Sequence, residues 1–423
     1  MKHLLRATAL LLGIAASPAG AQVINVEVDY MVASDHSHMP SAAEISALVE
    51  MFACHGYTLN IIVDDALPHV DVMQCDLPGF SDFWTCTSQN FTTYAEIKAA
   101  NFDNAFGGWH YCVFGHQYDN GNGTDSSGLG EVGGNDFIVT LGAFSGQTGT
   151  AFERAATLAH ELGHNLGLRH WSPLSLGPVG NFAPNYASVM SYQYQLTGVR
   201  SQMRCLGLVD QDDRLKDLDY SSGRMPSLTE SGLTEAIGVG IHAVDWDCDG
   251  VLDGSAVVQD LDNERPWCTG VGPAISLLRD NDDWTSLLDS ADNAAVIDGT
   301  AQLDTVSCIT ASELRDVKAF LGAIRASGSS PGLSDPTLCE GSSPTLAAPG
   351  CFGGEMFWVD AAATGVPLGT GDFPIASFST AVNAAPSGSV LYLQPGTFTE
   401  RSGSVLVTKP LVLAGPGGAV IAP

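Results

Sequence analysis

Basic residues are scarce. Lys and Arg number 17 against 47 Asp and Glu, which leaves a formal net charge of −30 over 423 residues. A surface that acidic repels phosphate backbones and anionic bilayers, so nucleic acid and membrane surfaces are excluded as partners. Long apolar runs are also missing. Past the N-terminus no stretch approaches the roughly 20 apolar residues that a membrane span requires. None of the ten cysteines belongs to a CxxC pair, which argues against a zinc site built from thiolates.

The remaining composition, 45% hydrophobic, supports two or three packed domains. Lys2, His3 and Arg6 precede an apolar run from Ala7 to Ala15, and Ala19-Gly20-Ala21 follows. That order reads as a secretory signal (1–21) cut near Ala21, giving a secreted, extracellular chain. In an exported chain an even number of cysteines favours disulfides. Cys339 and Cys351 are the one local pair expected to bond.

From Val23, apolar and polar residues alternate at the strand period through Tyr30. Pro40-Ser41 then opens a helical pattern on Ile45, Leu48, Val49 and Phe52, and Thr58 to Asp64 reads as a second strand. Strand, helix, strand at this spacing predicts a parallel βαβ unit. Further strands are expected at Trp109 to His116 and Asp136 to Phe144, separated by a surface loop from Asp119 to Gly134. Thr150 to Leu168 is the clearest helix, with Thr150 and Glu153 placed for a capping box. Leu218 to Gly238 reads as a turn and short helix, and Ser312 to Arg325 as a terminal helix.

Within the clearest helix stands His160-Glu161-Leu162-Gly163-His164, followed by Gly167 and His170. Residues four apart share a helix face, so His160 and His164 can present imidazoles to one metal ion. Gly167 lets the chain turn and bring in His170. Three protein ligands leave a fourth position open for water, the arrangement of a catalytic zinc rather than a structural one. Zinc lowers the pKa of that water towards about 7, and Glu161 is positioned to take its proton. The resulting hydroxide attacks a peptide carbonyl, and Glu161 returns the proton to the leaving amine.

The string resembles the HExxHxxGxxH signature of the metzincins. Ser188-Val189-Met190-Ser191-Tyr192 is similar to the methionine turn of that clan in its serralysin-like SxMSY form. The resemblance implies an α+β fold, a twisted and mostly parallel sheet with a long active-site helix. It implies that Met190 is an apolar floor beneath the imidazoles and that Tyr192 faces the metal or the developing oxyanion. It also implies that Asp136 to Phe144 is the edge strand above the cleft, pairing with substrate backbone. The serralysins' glycine-rich calcium repeats are absent, and no cysteine-bearing pro-segment precedes the zinc helix.

Expected boundaries are a catalytic domain over 22–240, an Asp-rich region over 241–325, a linker over 326–350 and a terminal segment over 351–423. In the Asp-rich region, Asp245, Asp247, Asp249 and Asp253, with the Val251 carbonyl, have the spacing of a calcium-wrapping loop. Its twelfth position is Ala256 rather than an acid, for which Asp260 or Asp262 could substitute. The terminal segment, with a helix over Ser377 to Ala385 and short strands, resembles the opening coil of a pectin-lyase-like parallel β-helix. His36, His38, His55, His69, His110, His116 and His242 are read as surface or core residues with no metal role. The function expected is a secreted, monomeric zinc endopeptidase acting on proteins or peptides, with Zn2+ and Ca2+ as its ions. Two alternatives are a zinc amidase using the same ligands and a calcium-stabilised adhesion protein with a degenerate protease domain.

Overall fold

The computed structural model describes residues 22–74, 93–104, 108–119, 124–177, 180–199, 218–236, 238, 244–262, 274–287, 305–316, 356–364, 366–367, 370–385, 389–399 and ten positions between 405 and 422. The signal segment, the linker and the Cys339–Cys351 pairing lie outside the described residues. None of the described helices is long and apolar enough to cross a membrane.

The alternating N-terminal segment forms β1 (Val23–Val32), and Ser41 caps α1 (Ala42–Cys54). Strand β2 (Thr58–Pro68) then returns parallel to β1, the βαβ unit that the periodicity predicts. A short β3 (Met73–Gln74) and α2 (Tyr94–Asn101) follow, then β4 (Trp109–Gly115), which pairs parallel to β1 on its other side. Strand β5 (Tyr118–Asp119) pairs with β3. Strands β6 (Gly128–Glu131) and β7 (Asp136–Thr140) lead into α3 (Ala151–Asn165). The six-stranded sheet has the order β10-β6-β7-β4-β1-β2, where β10 is Thr305–Ser307. It is parallel from β7 to β2 and antiparallel at β6 and β10.

Alternation along the strands sorts side chains to two faces. Ile24, Val26, Val28, Cys112, Phe114, Phe137 and Val139 meet α1 and α3 through Leu48, Phe52, Ala155 and Leu158. Tyr111, Val113 and Ile138 face the other way, against Tyr94 and Ile97 of α2. The two helices over the first face are tied at their N-terminal ends. Glu44 completes the capping box of α1 and also takes a fork from Arg154, at 2.6 Å from Nη2 and 3.1 Å from Nε.

Three expectations change here. The segment from Asp119 to Gly134 is not simply a loop, because it contains β6. Asp136 to Phe144 is not the edge, since β7 is flanked by β4 and β6. From Leu218 to Gly238 the described chain forms β8 (Leu228–Thr229) and a single 3-10 turn rather than an α-helix. The segment over 241–325 is part of the same structure. It supplies β9 (Leu277–Leu278), which pairs with β8, the capped turn α4 (Asp283–Ser286) and β10. Residues 311–316 open the helix expected from Ser312.

In the terminal segment β11 (Met356–Val359), β12 (Val390–Leu393) and β14 (Val412–Ala414) pair in parallel. So do β13 (Gly396–Thr399) and β15 (Ala419–Ala422). The helix α5 (Phe378–Ala384), capped by Ser377, packs its Phe378, Ala381 and Val382 against that sheet. The segment docks on the main unit. Trp358 and Tyr392 join the main core, and Asp372 accepts from Ser227 N at 2.9 Å and Ser227 Oγ at 2.6 Å.

Candidate metal centre

The geometry of the centre begins with how α3 is held. Thr150 Oγ1 accepts from Glu153 N at 3.2 Å, while Glu153 accepts from Thr150 N at 2.8 Å. That closed box fixes the first turn. The far end is fixed by Asn165, whose Nδ2 donates to the Glu131 carbonyl at 2.9 Å and the Asp136 carbonyl at 3.0 Å. Just past it, Gly167 adopts a φ of +93°, a left-handed conformation natural to glycine, and the chain turns. His170 follows, pointing back at His160 and His164. Ring centroids of the three imidazoles lie 4.7 to 5.0 Å apart, and all three are buried.

Proton bookkeeping on these rings points to a cation. His160 Nδ1 lies 2.8 Å from the Val189 carbonyl, His164 Nδ1 lies 2.9 Å from the Leu168 carbonyl, and His170 Nδ1 lies 3.2 Å from Asn181 Oδ1. Those oxygens only accept, so each Nδ1 carries the proton and each Nε2 is a bare lone pair. Yet His164 Nε2 stands 3.1 Å from His160 Nε2 and 2.9 Å from His170 Nε2. Lone pairs converging without a proton between them repel, and a metal ion among them reverses the sign. Tetrahedral zinc with its usual Zn–N bonds would place such atoms roughly 3.3 Å apart. Burial pushes all three imidazoles down, His164 to about 4 and His160 and His170 well below their ordinary value, which favours the neutral, ligating form. Nitrogen donors in a dry site suit zinc, while calcium and magnesium want oxygen.

Met190 is fully buried under the helix. A Cβ on Gly163 would stand 2.5 Å from the Met190 sulfur, so the glycine inside the zinc motif makes room for the floor. The turn carrying Met190 is pinned by Asp283, which accepts from Ser188 Oγ at 2.7 Å, Tyr186 Oη at 2.9 Å, Ser221 N at 3.1 Å and Asn281 Nδ2 at 3.1 Å. Burial raises the Asp283 carboxyl to about 7. An acid raised in the folded state favours folding fully below its unfolded value, and that contribution is lost as pH rises through about 7. Between pH 5 and pH 8 the parent is therefore expected to lose more stability than Asp283→Asn, by up to about 3 kcal/mol. Denaturant titration at the two pH values reads this difference, and equal losses in both chains would contradict it.

Glu161 is also fully buried, and burial pushes its carboxyl well above the usual range. It fits only because β6 presents glycine. A Cβ at Gly128 would lie 2.0 Å from Oε1, and one at Gly130 would lie 2.9 Å from Oε2. Oε2 is buried and has no hydrogen-bond partner among the described residues. Tyr192 packs against His170, ring centroids 4.5 Å apart, and burial keeps its phenol protonated.

A fourth side chain, not singled out in the sequence, stands beside the three imidazoles. Cys308 Sγ lies within 4.8 Å of the ligand nitrogens of His160, His164 and His170, and its thiol donates to Glu161 Oε1. It is carried there by the strand that pairs antiparallel with β6. Cys308 N donates to the Gly128 carbonyl at 3.1 Å, Ser127 N to the Ile309 carbonyl at 3.0 Å and Ala311 N to the Asp125 carbonyl at 2.8 Å. The chain from 305 to 311 thus occupies the sheet edge above the centre. Cys308 and Cys112 are buried free thiols, so the expectation of disulfides fails at both. Cys112 points into the apolar face under α3, and Cys308 into the histidines. Nothing local in the sequence marks Cys308, because a long-range pairing, Ser307 opposite Leu129, brings it in.

The Asp-rich loop is arranged differently from the expected calcium shell. Asp245 and Asp247 converge with Glu235, which also accepts from Trp246 N at 2.8 Å and Asp253 N at 2.5 Å. Asp249 turns back to its own loop, accepting from the amide of Val251 at 2.8 Å. Asp260 and Asp262 gather with Glu230 instead. His110 is a satisfied core histidine, its Nδ1 3.1 Å from Asn165 Oδ1, and His55 stacks on Trp284 at 3.9 Å. His242 lies outside the described residues.

No protein-family model and no curated protein matches the chain. Among solved structures it is similar to an archaemetzincin from Methanopyrus kandleri, at 14% identity over 42% of this chain and 84% of that one, with a TM-score of 0.26. It is also similar to a zinc-dependent peptidase from Methanocorpusculum labreanum strain Z, at 14% identity over 36% and 84%, with a TM-score of 0.21. Likenesses this distant carry no weight, and what the centre can do follows from its own atoms.

Proposed function

We propose that the chain is a zinc-dependent endopeptidase of the metzincin type, here in a closed form in which Cys308 stands at the fourth metal position. The observation that carries this is the convergence of three lone-pair nitrogens, each with its proton held on the far side of the ring, beside a buried carboxylate. His160, His164 and His170 would hold the ion. Zinc, when bound, supplies a Lewis acid that polarises a carbonyl and acidifies water. Glu161 takes the proton from the attacking water and delivers it to the leaving amine. The backbone of β6 offers an extended substrate the antiparallel partner that residues 305–311 now use. Tyr192, a neutral donor next to His170, would meet the oxyanion. Export after Ala21 is part of the same reading and rests on the basic and apolar pattern of the N-terminus.

A second reading is favoured by Cys308 itself: three histidines and a cysteine make a closed set, as in structural zinc sites. Glu161 argues for the peptidase, because a structural site needs no carboxylate driven into its wall through a cleft made by two glycines. Hydrolysis of a mixed peptide library by Cys308→Ala separates the two. Cleavage is expected, is lost on zinc chelation and returns with added zinc. Cleavage that continues in metal-free protein would overturn the proposal.

A further inference from the structure

Four of the histidines outside the zinc motif are not scattered. His36 follows β1, His69 follows β2 and His116 follows β4, with His38 two residues beyond His36. Because those three strands are parallel neighbours, their C-terminal ends share one edge of the sheet. All six pairs among the four rings lie close, with centroids 4.8 to 5.8 Å apart. The three rings of the zinc motif are spaced at 4.7 to 5.0 Å. One ring nitrogen from each of the four histidines falls within 4.8 Å of the others.

Proton placement repeats the logic of the first centre. His36 Nδ1 is 2.9 Å from Asp35 Oδ1, and His69 Nδ1 is 3.4 Å from Asp71 Oδ1. Asp35 accepts from His36 Nδ1 and leaves its Nε2 as a lone pair, while at His69 the carboxylate also lies on the Nδ1 side, away from Nε2. Both of those Nε2 atoms are buried and have no hydrogen-bond partner among the described residues. His38 Nε2 and His116 Nδ1 face each other at 3.2 Å. On its other side His116 lies against Gly142, where a Cβ would come within 2.8 Å of Nε2, so Nδ1 is the atom left to face the cluster. Leaving two ring nitrogens buried and unpaired is unfavourable, and a hydrogen-bond network among neutral rings satisfies only the His38–His116 pair.

We propose that His36, His38, His69 and His116 form a second metal site, taking a divalent transition metal of the zinc class. Four imidazoles fill a tetrahedral shell and leave no position for water, so this site is structural. Nitrogen-only donors disfavour calcium and magnesium. The ion staples the ends of β1, β2 and β4 together. The backbone around it is already set: Ala33 N donates to the His36 carbonyl at 2.9 Å, His38 N to the Met31 carbonyl at 3.0 Å and Gly142 N to the His116 carbonyl at 2.7 Å. This site does not depend on the peptidase reading, and it replaces the expectation that none of these histidines binds metal.

Elemental analysis of the purified chain, freed of any affinity tag, tests it. Two equivalents of zinc per chain are expected, one lost in His69→Gln and the other in His164→Gln. A single equivalent that survives His69→Gln and disappears in His164→Gln overturns the second site and leaves the peptidase reading standing. A single equivalent with the opposite response keeps this site and overturns the other. For a measurement that needs no change in the cluster, Co2+ is loaded into the His164→Gln chain. A strong visible absorption of tetrahedral cobalt is expected, and its absence refutes the proposal.

Discussion

Glu161→Gln is expected to lower kcat/KM for peptide hydrolysis by about 10²–10⁴-fold in a Cys308→Ala background, while zinc content stays unchanged. That loss corresponds to about 3–5 kcal/mol of transition-state stabilisation. The substitution keeps size and shape, which matters because Gly128 and Gly130 leave no spare room around this side chain. It removes only the ability to accept and return a proton. The carboxylate donates nothing to the three imidazoles, whose Nδ1 protons go to Val189, Leu168 and Asn181. Metal content and hydrolysis should therefore separate cleanly. Elemental analysis and initial rates measured on the same preparation read both. Undiminished hydrolysis would remove Glu161 from the mechanism, and loss of zinc together with activity would show that the residue supports the fold.

Cys308→Ala is expected to raise hydrolysis. The parent carries its own occupant of the cleft, a strand on β6 that ends in a thiol facing the metal ligands. A tethered group acts at an effective concentration of about millimolar or more. Peptide substrates with ordinary KM values compete poorly against that, so removal should increase the rate by on the order of tenfold or more. Removing the sulfur also frees Glu161 Oε1, the atom that now accepts from it. The variant must keep its zinc for this reading to hold, because three imidazoles suffice to bind it. A variant that loses zinc and stays inactive would instead identify the centre as a structural site of three histidines and one cysteine.

Parts of this architecture are legible in the sequence because the signals are local. Ser41 with Glu44 and Thr150 with Glu153 announce the starts of α1 and α3, and both boxes close. Gly167 announces the turn to His170. Strand β6 was hidden because its sequence, Gly-Leu-Gly-Glu, reads as loop, and its glycines are there for Glu161 rather than for flexibility. The edge therefore lies two strands outward of the expected β7, at β10. Cys308 and Asp283 were out of reach because each acts across a long separation in the chain, where periodicity carries no information. The four-histidine cluster stands between these cases. Its members lie just past the ends of strands that pair in parallel, so the strand order was enough to place His36, His69 and His116 at one edge. What the sequence could not supply was the ring orientation that turns proximity into a ligand set.

Anomalous diffraction at the zinc absorption edge, recorded from crystals of the parent chain, tests the main claim most directly because it reports position as well as presence. A peak bonded to Nε2 of His160, His164 and His170, with the Cys308 sulfur completing the shell, is the predicted result. Zinc-replete crystals with no peak between those three nitrogens would contradict it.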